Sequence, residues 1–133
     1  MAERYFTPAE VEALIPTLTE IMEDLKALHA ELTMARQRLQ AEQQRITMSG
    51  GGVIDARVWR EDTAAIERLT GRIQTRLQEI NRLGGVPKDL GLGLVDFPHV
   101  RNGEVVSLCW KYGERSITHW HRLDEGFAGR KPL

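Results

Sequence analysis

The chain of 133 residues has a single cysteine, Cys109. That excludes a disulfide within the chain and a four-cysteine zinc site, and a lone thiol fits a reducing cytoplasm. There is no excess of either charge: 18 basic residues stand against 19 acidic ones, for a formal net charge of −1. The balance is also local, with 11 basic and 13 acidic residues up to Leu83 and 7 and 6 after it. Neither half is a polycation, so the expectation is no nucleic-acid partner and no attachment to anionic lipid. No apolar run approaches the roughly 18 residues that span a bilayer. The start of the chain is polar and charged rather than a basic segment followed by an apolar one, so the expected compartment is the cytoplasm. Aromatic residues make up only 6% of the chain, so most of any core is aliphatic.

What is abundant is a heptad. Val11, Leu18, Leu25, Leu32, Leu39 and Ile46 recur every seventh position, and Leu14, Ile21, Leu28 and Ala35 follow the first four by three residues. Such a seam, sustained over five repeats, predicts one long helix whose stripe is covered by another helix. Thr7 reads as its N-cap, Pro8 as its first residue, and Glu10 as the residue that reaches back to the cap. Phe6 and Val11 are placed to close a hydrophobic staple. Pro16 predicts a kink or a short first segment. The helix is expected to run to Gln44 or Met48, where Ser49 and the glycines at 50–52 break it.

A second helix is expected from about Val58 to Leu83, with Asp55 as N-cap and Gly84-Gly85 as its stop. Two helices joined by a Gly-rich loop at 49–52 predict an antiparallel hairpin over 7–84. The first outreaches the second by about ten residues, or ~15 Å at ~1.5 Å per residue.

From residue 85 to 133 the pattern alternates instead. Strands are expected at Leu94–Phe97, ended by Pro98, at Val105–Tyr112, and at Ile117–His121, with Asn102-Gly103 as a hairpin turn. The fold class is therefore α+β: a single domain over 1–133, with a coiled-coil-like hairpin and a three-stranded antiparallel meander packed on it. A meander this small does not stand alone.

Phe6-Thr7-Pro8-Ala9-Glu10 followed by Leu14-Ile15-Pro16 resembles the opening of a bacterial family, domain of unknown function 2203. The match is stronger in Lys88-Asp89-Leu90 and Gly93-Leu94-Val95-Asp96-Phe97-Pro98. It continues through Leu108-Cys109-Trp110, Gly113-Glu114, Trp120-His121 and Gly126-Phe127-Ala128-Gly129-Arg130 with Pro132. The resemblance spans essentially the whole chain. It implies a small cytosolic bacterial protein with an N-terminal helical hairpin, and it brings no established activity. His119 lies outside the shared motif.

Several groupings are candidates for chemistry. His119 and His121 alternate on a strand, so both imidazoles share a face. With Asp124, Glu125, Asp96 or His99 they are candidate ligands for a divalent transition metal, while hydrogen-bonded surface histidines are the plainer use. The motif-matched polar residues Asp96, Glu114, His121 and Arg130 are the candidate catalytic set: a carboxylate beside a His tunes a general base, and an Arg clamps an anion. Alternatively, Arg130 pairs with Asp96 or Glu114 to pin the tail, and His121 is a bonded spacer. Trp110, Tyr112, Trp120 and Phe127 serve either as core or as a binding surface. Lys88 to Gly93 lacks the Gly-Lys-Ser/Thr ending of a phosphate loop. Cys109 reads as a buried inert thiol, with a Cys–His pair to His119 or His121 as the alternative. The far half of the first helix, from Met34 to Met48, offers an apolar stripe to a second copy.

On this reading the expected role is that of a non-enzymatic structural or interaction protein that self-associates as a dimer, with no cofactor. The alternative is a small metal-binding protein or enzyme built on His121 and nearby carboxylates.

Overall fold

A computed structural model of the chain describes residues 4–48, 50 and 55–133. The first helix, α1 (Pro8–Met48), opens with the reciprocal cap that its sequence encodes. The Thr7 amide donates to Glu10 Oε1 at 3.0 Å, and the Glu10 amide donates to Thr7 Oγ1 at 3.2 Å. Pro16 lies inside α1 and does not end it. Pro16 is exposed, so the carbonyl that loses its N–H partner is on the solvent side of the helix. The second helix, α2 (Ala56–Leu83), starts two residues earlier than the pattern suggested. Asp55 caps it, accepting from the amides of Arg57 and Val58 at 3.1 and 3.3 Å. The Gly-rich loop read at 49–52 lies outside the described residues except for Gly50, which has φ +71°.

The chain divides into two compact units. One combines the chain up to Lys26 with Arg76–Leu133, and the other is Ala27–Thr75. In the first, α1 and α2 are joined by Arg76 Nε on Asp24 Oδ2 at 2.8 Å; in the second, by Arg38 Nε on Asp62 Oδ1 at 3.1 Å. Val11, Leu18, Ile21 and Leu25 are buried in the first unit, and Leu28, Leu32 and Ala35 in the second.

Five strands follow α2: β1 (Val86–Asp89), β2 (Leu94–Arg101), β3 (Glu104–Lys111), β4 (His119–His121) and β5 (Lys131–Pro132). They form one antiparallel sheet in chain order, so the α+β architecture stands with two more strands than the three expected. The two additions, β1 and β5, are short, and each contains a proline. Pro98 does not end β2 either. Strand β1 reaches only to Asp96, so beyond that residue β2 is an edge, where a missing N–H costs no ladder bond. The Pro98 carbonyl on that edge accepts from the Phe6 amide at 2.7 Å.

Asn102 (φ +52°) and Gly103 (φ +78°) make the two-residue turn between β2 and β3. That turn fixes the register and so the two faces of the sheet. One face presents Val95, Phe97, Val106, Leu108 and Trp110, all 1% exposed or less. It packs on the helices of its own unit. Phe6 meets Phe97 edge-on at 5.2 Å, and Gly85 brings Ile80 of α2 against Val95 and Phe97. The other face is mixed, with Leu94 and Val105 beside Asp96, Ser107 and Cys109, and carries the site.

Candidate metal centre

In the register set by the Asn102-Gly103 turn, Asp96 on β2 stands directly opposite Cys109 on β3. On the far side of β3, His121 stands opposite Ser107, which makes it the diagonal neighbour of Cys109 on the same face. Three residues from three strands therefore converge. All are buried, and their ligand-type atoms (Asp96 carboxylate, Cys109 Sγ, His121 imidazole) lie within 4.8 Å of one another.

The hydrogen bonds orient this group. His121 Nδ1 is 2.8 Å from the Arg122 carbonyl, which only accepts, so Nδ1 carries the proton. That turns Nε2 toward Asp96 Oδ2, 3.0 Å away. A His held by its Nδ1 on a backbone carbonyl, with Nε2 presented to a carboxylate and a thiol, has the arrangement of a metal-ligating imidazole. The Cys109 thiol is pushed up to about 11, first by burial and then by the charge of Asp96, with Arg130 acting in the opposite direction. Cys109 is therefore a protonated thiol at neutral pH and a poor nucleophile. A divalent cation would reverse that, since a coordinating thiol is deprotonated.

The four polar candidates of the shared motif form two pairs rather than one constellation. Asp96 holds His121. Arg130 Nη2 holds Glu114, donating to Oε1 and Oε2 at 3.1 and 2.9 Å. The pairs meet at Cys109, whose carbonyl lies 3.4 Å from Arg130 Nη2. Glu114 also accepts from the Lys111 amide at 2.7 Å, and its carbonyl accepts from the Trp110 indole at 3.0 Å. The Glu114–Arg130 pair thus ties the tail to the end of β3.

His119 and Asp124 do not join the cluster. His119 Nδ1 lies 2.8 Å from Thr118 Oγ1, and Asp124 is exposed. His99 donates through Nδ1 to the Phe6 carbonyl at 2.6 Å, away from the cluster. Cys109 is a buried thiol with a raised pKa, as expected; the turn at 102–103 sets it opposite Asp96, and of the two histidines named as alternative partners it is His121 that lies near it.

The tail roofs the face that carries the site. A cavity of about 250 Å³ lies between the sheet residues Leu94, Asp96, Cys109 and His121 and the tail residues Glu125, Gly126 and Phe127, with Lys88 also on its wall. The roof is fixed from several sides. Phe127, in a 3₁₀ turn (Phe127–Gly129), lies under the Arg130 guanidinium at 4.8 Å and near Lys111 Nζ at 5.3 Å. Lys131 Nζ donates to Glu125 Oε1 at 2.6 Å, and that bond, ahead of one from the Arg122 amide, holds the Glu125 carboxyl below its usual range.

The family model described as "Uncharacterized conserved protein (DUF2203)" matches residues 4–133. The chain belongs to this family. No curated protein and no solved structure matches it. The DUF2203 match takes in all three clustered residues and the tail that covers them. No helix among the described residues is long and apolar enough to cross a membrane.

Proposed function

We propose that this DUF2203 protein binds one divalent transition-metal cation, of the Zn²⁺ class, through Asp96, Cys109 and His121. The observation that carries the reading is that one oxygen, one sulfur and one nitrogen ligand are buried together beside a cavity. Ligand atoms around tetrahedral zinc stand about 3.5 Å apart, given bond lengths of about 2.0–2.3 Å. Asp96 Oδ2 and His121 Nε2, at 3.0 Å, are already close to that spacing. Thiolate and imidazole together favour zinc over magnesium or calcium. Three protein ligands with a fourth position toward a cavity resemble reactive zinc sites rather than closed structural ones. A metal-thiolate centre of this kind suits the reducing bacterial cytoplasm.

The test is elemental analysis of the purified protein, followed by Co²⁺ titration of the metal-stripped protein. The reading expects one equivalent of metal and a thiolate-to-cobalt charge-transfer band that is lost in Cys109→Ser and His121→Ala. Wild-type protein that binds neither Zn²⁺ nor Co²⁺ would overturn it and leave the cluster as a polar pin.

A second reading, self-association through the helices as a structural or interaction protein, is supported by the outer part of the Ala27–Thr75 unit. Beyond Ala35, none of the described apolar residues of α1 is buried, and Leu39 and Ile46 are only half-buried. On α2, Trp59 and Ile66 are in the same condition. A second copy is the occupant proposed, because one heptad seam covers another. Sedimentation over a hundredfold range of concentration tests it, and a monomer throughout would remove it.

A further inference from the structure

We propose that the cavity beside Asp96, Cys109 and His121 takes a small monocarboxylate, with one oxygen on the bound cation, the charge facing Lys88, and the carbon part against Leu94 and Phe127. This rests on the metal reading of the same site.

The first argument is charge. A divalent cation, the Asp96 carboxylate, the Cys109 thiolate and a neutral His121 sum to zero. Glu125 is cancelled by Lys131, 2.6 Å away. Lys88 is different: it lines the cavity and has no ion-pair partner among the described residues. Of the cations that do not line the cavity, Arg130 is engaged by Glu114, Lys131 by Glu125, and Lys111 lies against the Phe127 ring. With Glu125 offset by Lys131, the residues on the wall of the loaded site therefore carry one surplus positive charge, on Lys88, which a monoanion matches. A dianion would leave its second charge facing Asp96 and Glu125.

The second argument is shape and surface. About 250 Å³ holds a molecule of only a few heavy atoms. Leu94 and Phe127 give the cavity apolar walls, which reward a carbon chain and give nothing to phosphate or sulfate. A carboxylate satisfies both demands, since one oxygen can ligate the metal while the group's charge faces an ammonium.

The experiment uses full-length protein loaded with Co²⁺, with the visible ligand-field spectrum as readout. Propionate is the probe, and inorganic phosphate and 1-propanol are the comparisons. The proposal expects a saturable spectral change with propionate alone. Lys88 is exposed, so Lys88→Ala should fold and load Co²⁺ like the wild type while needing about tenfold more propionate. Circular dichroism and cobalt stoichiometry confirm the variant's integrity. A cobalt spectrum that propionate does not move, or that phosphate moves equally, overturns the carboxylate proposal and leaves the metal centre standing. Unchanged propionate affinity in intact Lys88→Ala overturns it as well. Failure to bind cobalt at all defeats the metal reading itself, and this proposal with it.

Discussion

Asp96 and Cys109 face each other across neighbouring antiparallel strands, six residues before and six residues after the Asn102-Gly103 turn. Their pairing brings a carboxylate and a thiol together in a buried place. His121, from the third strand, supplies the partner that Asp96 needs.

Replacing that partner should be costly. His121→Ala leaves Asp96 buried without its hydrogen bond, and breaking a buried pair costs about 3–5 kcal/mol. Urea denaturation should show a midpoint lowered in proportion, with an unchanged slope. A loss below about 1 kcal/mol would mean that water reaches Asp96 freely.

Metal should stabilise the fold by mass action. At free Zn²⁺ one hundred times the dissociation constant, the gain is about 2.7 kcal/mol. Thermal unfolding with and without chelator measures it. Cys109→Ser should abolish most of the difference, and a chelator without effect on freshly purified, metal-containing protein would contradict the centre.

The thiol sets an alkaline limit. A Cys109 pKa raised from 9.0 to about 11 means that the folded chain keeps a proton that the unfolded chain has lost. Metal-free protein is therefore at full stability below about pH 9 and loses about 2 kcal/mol as the pH climbs toward 11. At pH 8 the native thiol should resist alkylation and react only on unfolding. Stability that is flat from pH 8 to 11 would refute this.

The tail should come loose when its pin is cut. Glu114→Gln removes the charge that holds Arg130, and burial of this pair makes the loss about 1–2 kcal/mol. Limited proteolysis should then cut near residues 125–130 while the rest of the sheet stays protected. Equal protection in variant and wild type would show that β5 and the Glu125–Lys131 bond suffice.

Gly84 offers a check on the body of the fold. It ends α2 with φ +100°, and an added Cβ would lie 2.3 Å from Phe6 Cζ. Gly84→Ala combines backbone strain with overpacking, for about 2–5 kcal/mol in all. A neutral result would mean that Phe6 can swing aside.

Much of this was legible in the residues. Thr7 with Glu10, and Asp55 before its helix, announced both caps because capping is local chemistry. The heptads announced the paired helices, and Asn102-Gly103 announced the hairpin. The short strands β1 and β5 escaped because Pro87 and Pro132 argue against pairing unless an edge is known to be free. His119 shares the strand face of His121, as alternation requires, but alternation says nothing of reach. Cys109 reads as a buried thiol because its neighbours in sequence, Leu108 and Trp110, are core; that Asp96 stands opposite it takes the strand register. Arg130 was expected to pin the tail through Asp96 or Glu114, and the structure pairs it with Glu114.

The two-residue bend at Asn102-Gly103 has a wider meaning. Slipping one strand past the other by a single step would turn Trp110 outward and aim Cys109 at the helices. Interior packing and the buried Asp96–Cys109 pairing are thus written in the same frame, as alternate letters of one strand. An insertion there could not spoil one and spare the other, so any lineage that keeps its hydrophobic interior keeps the geometry of the thiol and the carboxylate for free.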